Sequence, residues 1–327
     1  IDINEESGRH VLGWLEDGKI KLEEVHKFDI KYIDRNDIKL WDLQHIFEQI
    51  KTGIARCREI GKLPVLVGLT ACDGYFVLLD HEDKVIDDLV FCLDDTAFIE
   101  NFKNNYAACI EKTKCFLMLS DYFNFLLTGR KACNYTSLLP RKLISLDKKD
   151  WDDEHIAKLG FIRTQFPPVS QPGSVIGNLT LKVTDEVGYD FVILQAASRK
   201  ACAALFNMPD ICYDKEEKSY LNSDKANIKE KAKNKSDEPK DNQDERHNDE
   251  NQNEDNIYND QIGNKVDGVI SDEQKEQKYS ASISDELKTA IGCLSILMIS
   301  GHELKDFEAA RECIRESFYI TAKKLES

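Results

Sequence analysis

The chain has 327 residues and 41% apolar content, enough for a real core in one large domain or two. Its formal net charge of −16, from 44 Lys and Arg against 60 Asp and Glu, works against nucleic acid and anionic membrane surfaces as partners. The ten cysteines fall singly, with no C-x-x-C pair and no zinc spacing, and no apolar run is long enough to span a bilayer, so a reducing, cytoplasmic setting is expected.

The chain opens at Ile1, already inside an apolar-acidic pattern, and its natural start is expected upstream. "GRHVLGWLEDGKIKLEEVHKFDI" predicts two strands about a turn at Asp17–Gly18. In "WDLQHIFEQIKTGIARCREIG", Leu43, Ile46, Phe47, Ile50 and Ile54 recur at helical spacing, and Gly61 supplies the stop. "LPVLVGLTACDGYFVLLDHEDKVI" predicts a buried strand, a loop, and a second strand turning at His81–Asp83. That order of strand, strand, helix, strand, strand suggests a mixed sheet with helical cover. "FVILQAASRKACAALF" has the outline of a strand, a small-residue turn and a helix, with Arg199 and Lys200 at the turn. Residues at the carboxyl end of such strands often carry chemistry.

Between Leu221 and Leu287 there is no Leu, Phe, Trp or Cys, so roughly residues 214–281 are expected to form a disordered, charged linker. After it, "SDELKTAIGCLSILMIS" and "KDFEAARECIRESFYITAKKLE" predict two amphipathic helices, a small cap or an element docked on the first domain. The expected domains are therefore 1–208, an α/β domain; 214–281, the linker; and 282–327, helical.

Several blocks resemble the rhamnulokinases of the FGGY carbohydrate kinase family. "DWDDEHIAKLGFIRTQFPPVSQPGSVIGNLT" (150–180) is similar to the family's W-D-E-x-L-L-x-x-L-G…F-P-x-x-x-x-P-G-x-V-I-G. "LSDYFNFLLTGRKACNYTS" (119–137) looks like P-D-x-x-x-Y-x-L-T-G-x-x-x-x-E-Y-T-N, and "ARECIRESFYITAKKLE" echoes a helix of the second domain. The resemblance covers essentially residues 1–208. It implies an actin-like, ribonuclease-H-like α/β fold, mainly the first FGGY domain, with 282–327 a helical remnant of the second. It also implies ATP-dependent phosphorylation of a ketose hydroxyl, with an Asp base and Mg²⁺, and hence a sugar and ATP as small-molecule partners.

The same resemblance locates departures. The phosphate turn D-x-G-A-S-S-G-R stands here as "DINEESGR". Asp2 is the metal candidate and Ser7, Gly8 and Arg9 the ATP-phosphate candidates, but Asn4 replaces the first Gly and Glu5–Glu6 replace Ala-Ser. Two carboxylates beside a triphosphate repel it. The sugar loop I-D-T-W-G-V-D-F stands as "LTACDGYF", with Thr70, Cys72, Asp73 and Tyr75 in place of Asp, Trp, Gly and Asp; Asp73, Gly74 and Tyr75 are what remains to bind a sugar. V-A-S-H-D-T-A-S-A stands as "AASRKACAA", which puts Lys200 at the base, Arg199 beside it, and both on a solvent-facing turn. A roughly thirty-residue block before "FLMLSDYF" is largely missing, too long a loss for loop variation. The second domain's S-S-G-T-W and H-x-x-G-G-G motifs are absent, as are GxGxxG and the P-loop signature.

The reading is a rhamnulokinase-like homologue that has lost catalysis. Three alternatives stand beside it: an active ATP-dependent L-rhamnulose-type ketose kinase, a non-enzymatic binding or regulatory module, and a decaying gene product.

Overall fold

Strand β1 (Asp2–Ile3) is only two residues long, whereas the alternating segments after it make the long antiparallel strands β2 (Ser7–Glu16) and β3 (Lys19–Asp29). Asp17 and Gly18 close this hairpin with φ of 52° and 74°. Both are left-handed, as a two-residue turn between right-twisted strands requires. The computed structural model describes residues 1–35, 38–93, 96–207 and 285–314. The expected linker at 214–281 and the chain after residue 314 lie outside the described residues.

Helix α1 (Leu43–Glu59) starts where the Asp42 side chain accepts from the His45 N–H at 2.8 Å. Its buried stripe, Ile46, Ile50, Ile54 and Cys57, covers one face of the hairpin. Strands β4 (Leu66–Ala71), β5 (Tyr75–Leu79), β6 (Val85–Cys92) and β7 (Cys115–Met118) follow, then α2 (Leu119–Thr128), which ends on the left-handed Gly129. Later come β8 (Val175–Asn178), β9 (Val192–Gln195), α3 (Arg199–Asn207), α4 (Asp285–Ser300) and α5 (Phe307–Ile314).

Six strands form the main sheet in the order β8-β9-β4-β1-β2-β3. The pairs β9–β4 and β4–β1 are parallel and the outer pairs antiparallel. The central strands β4 and β9 are nearly continuous apolar runs because helices cover both faces.

The sequence suggested one mixed sheet, but the chain divides after β4. Gly74, at φ 90°, turns it so that β5 pairs instead with β6 and β7 in a separate antiparallel sheet. That sheet buries an aromatic layer in which the Phe76 and Phe116 rings stack at 4.7 Å.

Helix α4 packs on α3 and β4 in the same compact unit as residues 1–207, with Cys293, Ile296 and Leu297 against Leu194, Ala196 and Cys202. The helices meet so closely that a Cβ on Gly292 would lie 1.9 Å from the Cys202 carbonyl oxygen. Among the described residues no helix is long and apolar enough to cross a membrane.

Candidate functional site

The carboxyl ends of β4 and β9, the turn after β1, and the start of α3 converge on one place. At its centre Asp2, only 4% exposed, accepts from Arg199 with both oxygens: Nε–Oδ1 is 2.7 Å and Nη2–Oδ2 is 3.2 Å. This corrects the expectation for the Arg-Lys pair. Arg199 is half-buried, its side chain folded onto a buried carboxylate, while Lys200 is exposed.

Asp73 sits at the other side of the same turn. Its oxygens accept from the main-chain N–H groups of Arg199 (3.2 Å) and Lys200 (2.9 Å), so it tethers the first turn of α3, where unpaired amides and the helix dipole favour a negative group. Burial pushes its carboxyl up and those N–H bonds pull it down, with a net upward shift. Gly74 makes the turn into β5.

Tyr75 reaches back across the site: its hydroxyl donates to Glu5 Oε1 at 2.9 Å, and burial pushes that hydroxyl up, with the Glu5 carboxylate adding to the shift. Tyr32 donates to the Glu5 carbonyl at 2.8 Å. Next to them, burial raises the Cys72 thiol to about 12.

The turn from β1 to β2 is closed on itself. The Asn4 side-chain oxygen accepts from the main-chain N–H of Glu6 (2.8 Å) and of Ser7 (2.7 Å), while the Asn4 N–H donates to the Ser7 carbonyl at 2.8 Å. The main-chain amides of Glu6 and Ser7 are thus taken by a side chain of the same turn. Gly8 lies beneath the Phe28 ring, where a Cβ would come within 2.1 Å of it. Arg9 leans away toward Glu24 at 3.5 Å. Asp2, Asp73, Arg199 and the start of α3 therefore come together, as do Glu5 and Tyr75, while Arg9 and the Lys200 side chain stay outside the cluster.

Beneath α3 lies a buried polar network that sequence reasoning missed. Gln195 donates to Asp121 Oδ1 (3.1 Å), and the Asn134 N–H donates to Asp121 Oδ2 (2.9 Å). Asn134 Nδ2 donates to the Ala196 carbonyl (2.7 Å), and the Ser198 N–H donates to Thr136 Oγ1 (2.8 Å). Burial raises the Asp121 carboxyl to about 7. The available signal was a lone carboxylate inside the apolar run "FLMLSDYFNFLL". No cluster of three or more His, Cys, Asp or Glu suited to a metal occurs among the described residues.

This architecture is that of the sugar kinases with an actin-like fold. Two solved structures superpose on 63–64% of the chain and on about half of their own: xylulose kinase from Lactobacillus acidophilus (TM-score 0.53, 16% identity, 49% of that chain) and xylulose kinase from Rhodospirillum rubrum (0.54, 17%, 51%). Residues 94–206 match the N-terminal domain of the FGGY family of carbohydrate kinases. The rhamnulokinase of Oceanobacillus iheyensis is 34% identical over 241 residues, covering 64% of this chain and 51% of its own length. That of Halalkalibacterium halodurans is 32% identical over 242 residues, covering 64% and 52%. The chain is similar to the rhamnulokinases of the FGGY family over 64% of its length, and it spans about half the length of the curated relatives it matches.

Proposed function

We propose that this chain is a carbohydrate kinase homologue that does not transfer phosphate. The observation that carries this reading is the Asp2–Arg199 clasp: both oxygens of the metal-candidate carboxylate are engaged by a guanidinium. A divalent cation would have to displace that guanidinium from a buried carboxylate. The residues present therefore do not fit Mg²⁺ at Asp2.

Nor do they fit a triphosphate at the neighbouring turn. Asn4 fills the amides of Glu6 and Ser7, and the exposed carboxylates of Glu5 and Glu6 oppose an anion. Lys200 stands where the family resemblance expects the base, with its side chain in solvent. Phosphoryl transfer depends on positioning and on electrostatic stabilisation of a charged transition state, so displaced metal, phosphate and base positions remove its main contributions together.

ATP, Mg²⁺ and a ketose would be the small-molecule partners only of a working site. We place the chain in the cytoplasm, without nucleic-acid or membrane partners, on its charge of −16.

The test is ketose-dependent ATP consumption by the purified protein, with L-rhamnulose among several ketoses, alongside thermal shift with Mg²⁺-ATP. No turnover above background and no concentration-dependent stabilisation are expected. Turnover of roughly 1–100 per second would establish an active kinase instead.

A further inference from the structure

Helices α3 and α4 meet through their main chains. A Cβ on Gly292 would lie 1.9 Å from the Cys202 carbonyl oxygen and 2.9 Å from the Cys202 Cα, so no side chain separates the two helices there. Cys202 and Cys293, the next residue along α4, belong to one apolar cluster with Leu194, Ala196 and Leu297, and are 0% and 5% exposed.

Both sulfurs sit beside the central strands. Cys293 Sγ packs on β4, where a Cβ on Gly68 would come within 3.0 Å of it. The Cys202 thiol lies 3.4 Å from the Ala197 carbonyl, just past β9. The two thiols also share a hydrogen bond across the interface. By contrast, Cys57 donates to the Gly53 carbonyl and Cys72 to the Ile3 carbonyl, each at 3.6 Å. Donation to Cys293, and burial after it, raise the Cys202 thiol well above its ordinary range, while the same bond lowers Cys293 against the effect of burial. Cys293 is thus the sulfur that reaches the thiolate first.

We propose that Cys202 and Cys293 form a reversible disulfide latch, which locks α4 onto α3 when the chain meets a hydroperoxide. Local opening of α4 admits the small oxidant. With hydrogen peroxide, the Cys293 thiolate attacks one oxygen, the O–O bond breaks, and the departing hydroxide takes up the Cys293 proton as water, leaving a sulfenic acid. When α4 closes again, the Cys202 sulfur attacks that of Cys293, the S–O bond breaks, and a second water leaves with the Cys202 proton. The two thiols have then given two electrons to one peroxide, and a dithiol reductant reverses the link by exchange.

The link closes a loop of roughly ninety residues, and long loops gain most from a cross-link. Arg199 lies three residues before Cys202 on α3, so fixing α3 also fixes the guanidinium that clasps Asp2. In the reducing setting expected for this chain, a disulfide would be transient, as a switch requires. None of this depends on whether the chain transfers phosphate.

The test treats the purified chain with hydrogen peroxide and then with dithiothreitol, beside Cys202→Ala and Cys293→Ala. After trypsin, residues 201–215 and 289–305 should appear as one linked peptide that dithiothreitol separates. Because 201–215 also contains Cys212, the link should disappear in Cys202→Ala. Should that variant fail to fold, fragmentation of the linked wild-type peptide assigns the cysteine directly, and assignment to Cys212 would overturn the proposal. Peroxide should raise the wild-type thermal midpoint by about 5 °C or more. It should also slow hydrogen exchange of the α4 amides at least about tenfold, with dithiothreitol restoring both. Neither variant should respond. Recovery of the two wild-type sulfurs only as free thiols or sulfinic acids would overturn the latch, as would a link that forms without stabilising the chain.

Discussion

Replacing Arg199 with Ala withdraws the guanidinium from both oxygens of Asp2 while leaving that carboxylate 4% exposed. Exposed ion pairs contribute about 0–1 kcal/mol, because water screens the charges and solvates either partner left alone. A buried carboxylate that loses its partner costs about 3–5 kcal/mol, since neither solvent nor another cation replaces the lost interaction. Arg199 itself is 23% exposed, which places the expected loss near the lower end, about 3 kcal/mol. At about 2–4 °C per kcal/mol for a domain of this size, the midpoint should fall by about 6–12 °C. Urea and thermal unfolding followed by circular dichroism would measure it, in a cycle with Asp2→Asn and the double variant Asp2→Asn/Arg199→Ala. Removing the charge from Asp2 should make the loss of Arg199 much milder, giving a coupling of about 2 kcal/mol. A loss under about 1 kcal/mol with no coupling would show that the pair behaves as an ordinary surface contact and would refute the reasoning.

Asp121, raised by burial to about 7 against an unfolded value near 3.9, holds its proton more tightly when folded. Its contribution to stability is full below about pH 4 and lost as pH rises through 7, a decline on the order of 4 kcal/mol. Asp121→Asn should flatten that part of the melting profile; an unchanged slope would remove Asp121 as its cause. His10 works in the opposite sense: burial lowers it well below 6.5, so its contribution is present above about pH 6.5 and lost as pH falls. His10→Gln, which keeps a donor for the Ile50 carbonyl, should shift acid unfolding to lower pH. Gly292→Ala puts a methyl 1.9 Å from the Cys202 carbonyl oxygen, so α4 must lift from α3 at a cost of about 1–3 kcal/mol, with faster proteolysis within 285–300. Wild-type resistance there would mean that the helices do not need this close approach. Asn4→Ala removes two hydrogen bonds from the β1–β2 turn and should cost about 1 kcal/mol in urea unfolding, without creating affinity for Mg²⁺-ATP.

What the sequence determined by itself is what short-range rules control. Asp17–Gly18 names a hairpin because only left-handed residues match the strand twist, and α1 is legible because Ile46, Ile50 and Ile54 recur on one helical face. "FVILQAASRKACAALF" reads correctly as strand, turn and helix for the same reason. The role of Asn4 was also within local reach, since an Asn two and three residues before free amides is a turn signal.

The tertiary structure alone decided what the site residues do. Arg199 reads locally as a cation on a turn, yet its partner Asp2 lies 197 positions away, and no spacing rule joins them. Asp73 reads as part of a loop between strands, but it tethers a helix that begins 126 residues later. The division of β4 and β5 between two sheets depends on which distant strands, β9 and β7, arrive to pair with them. Pairing and burial at long range are set by chain crossings that bring remote segments together, and a carboxylate becomes a clasp or a cap only when such a crossing supplies its partner and removes the water.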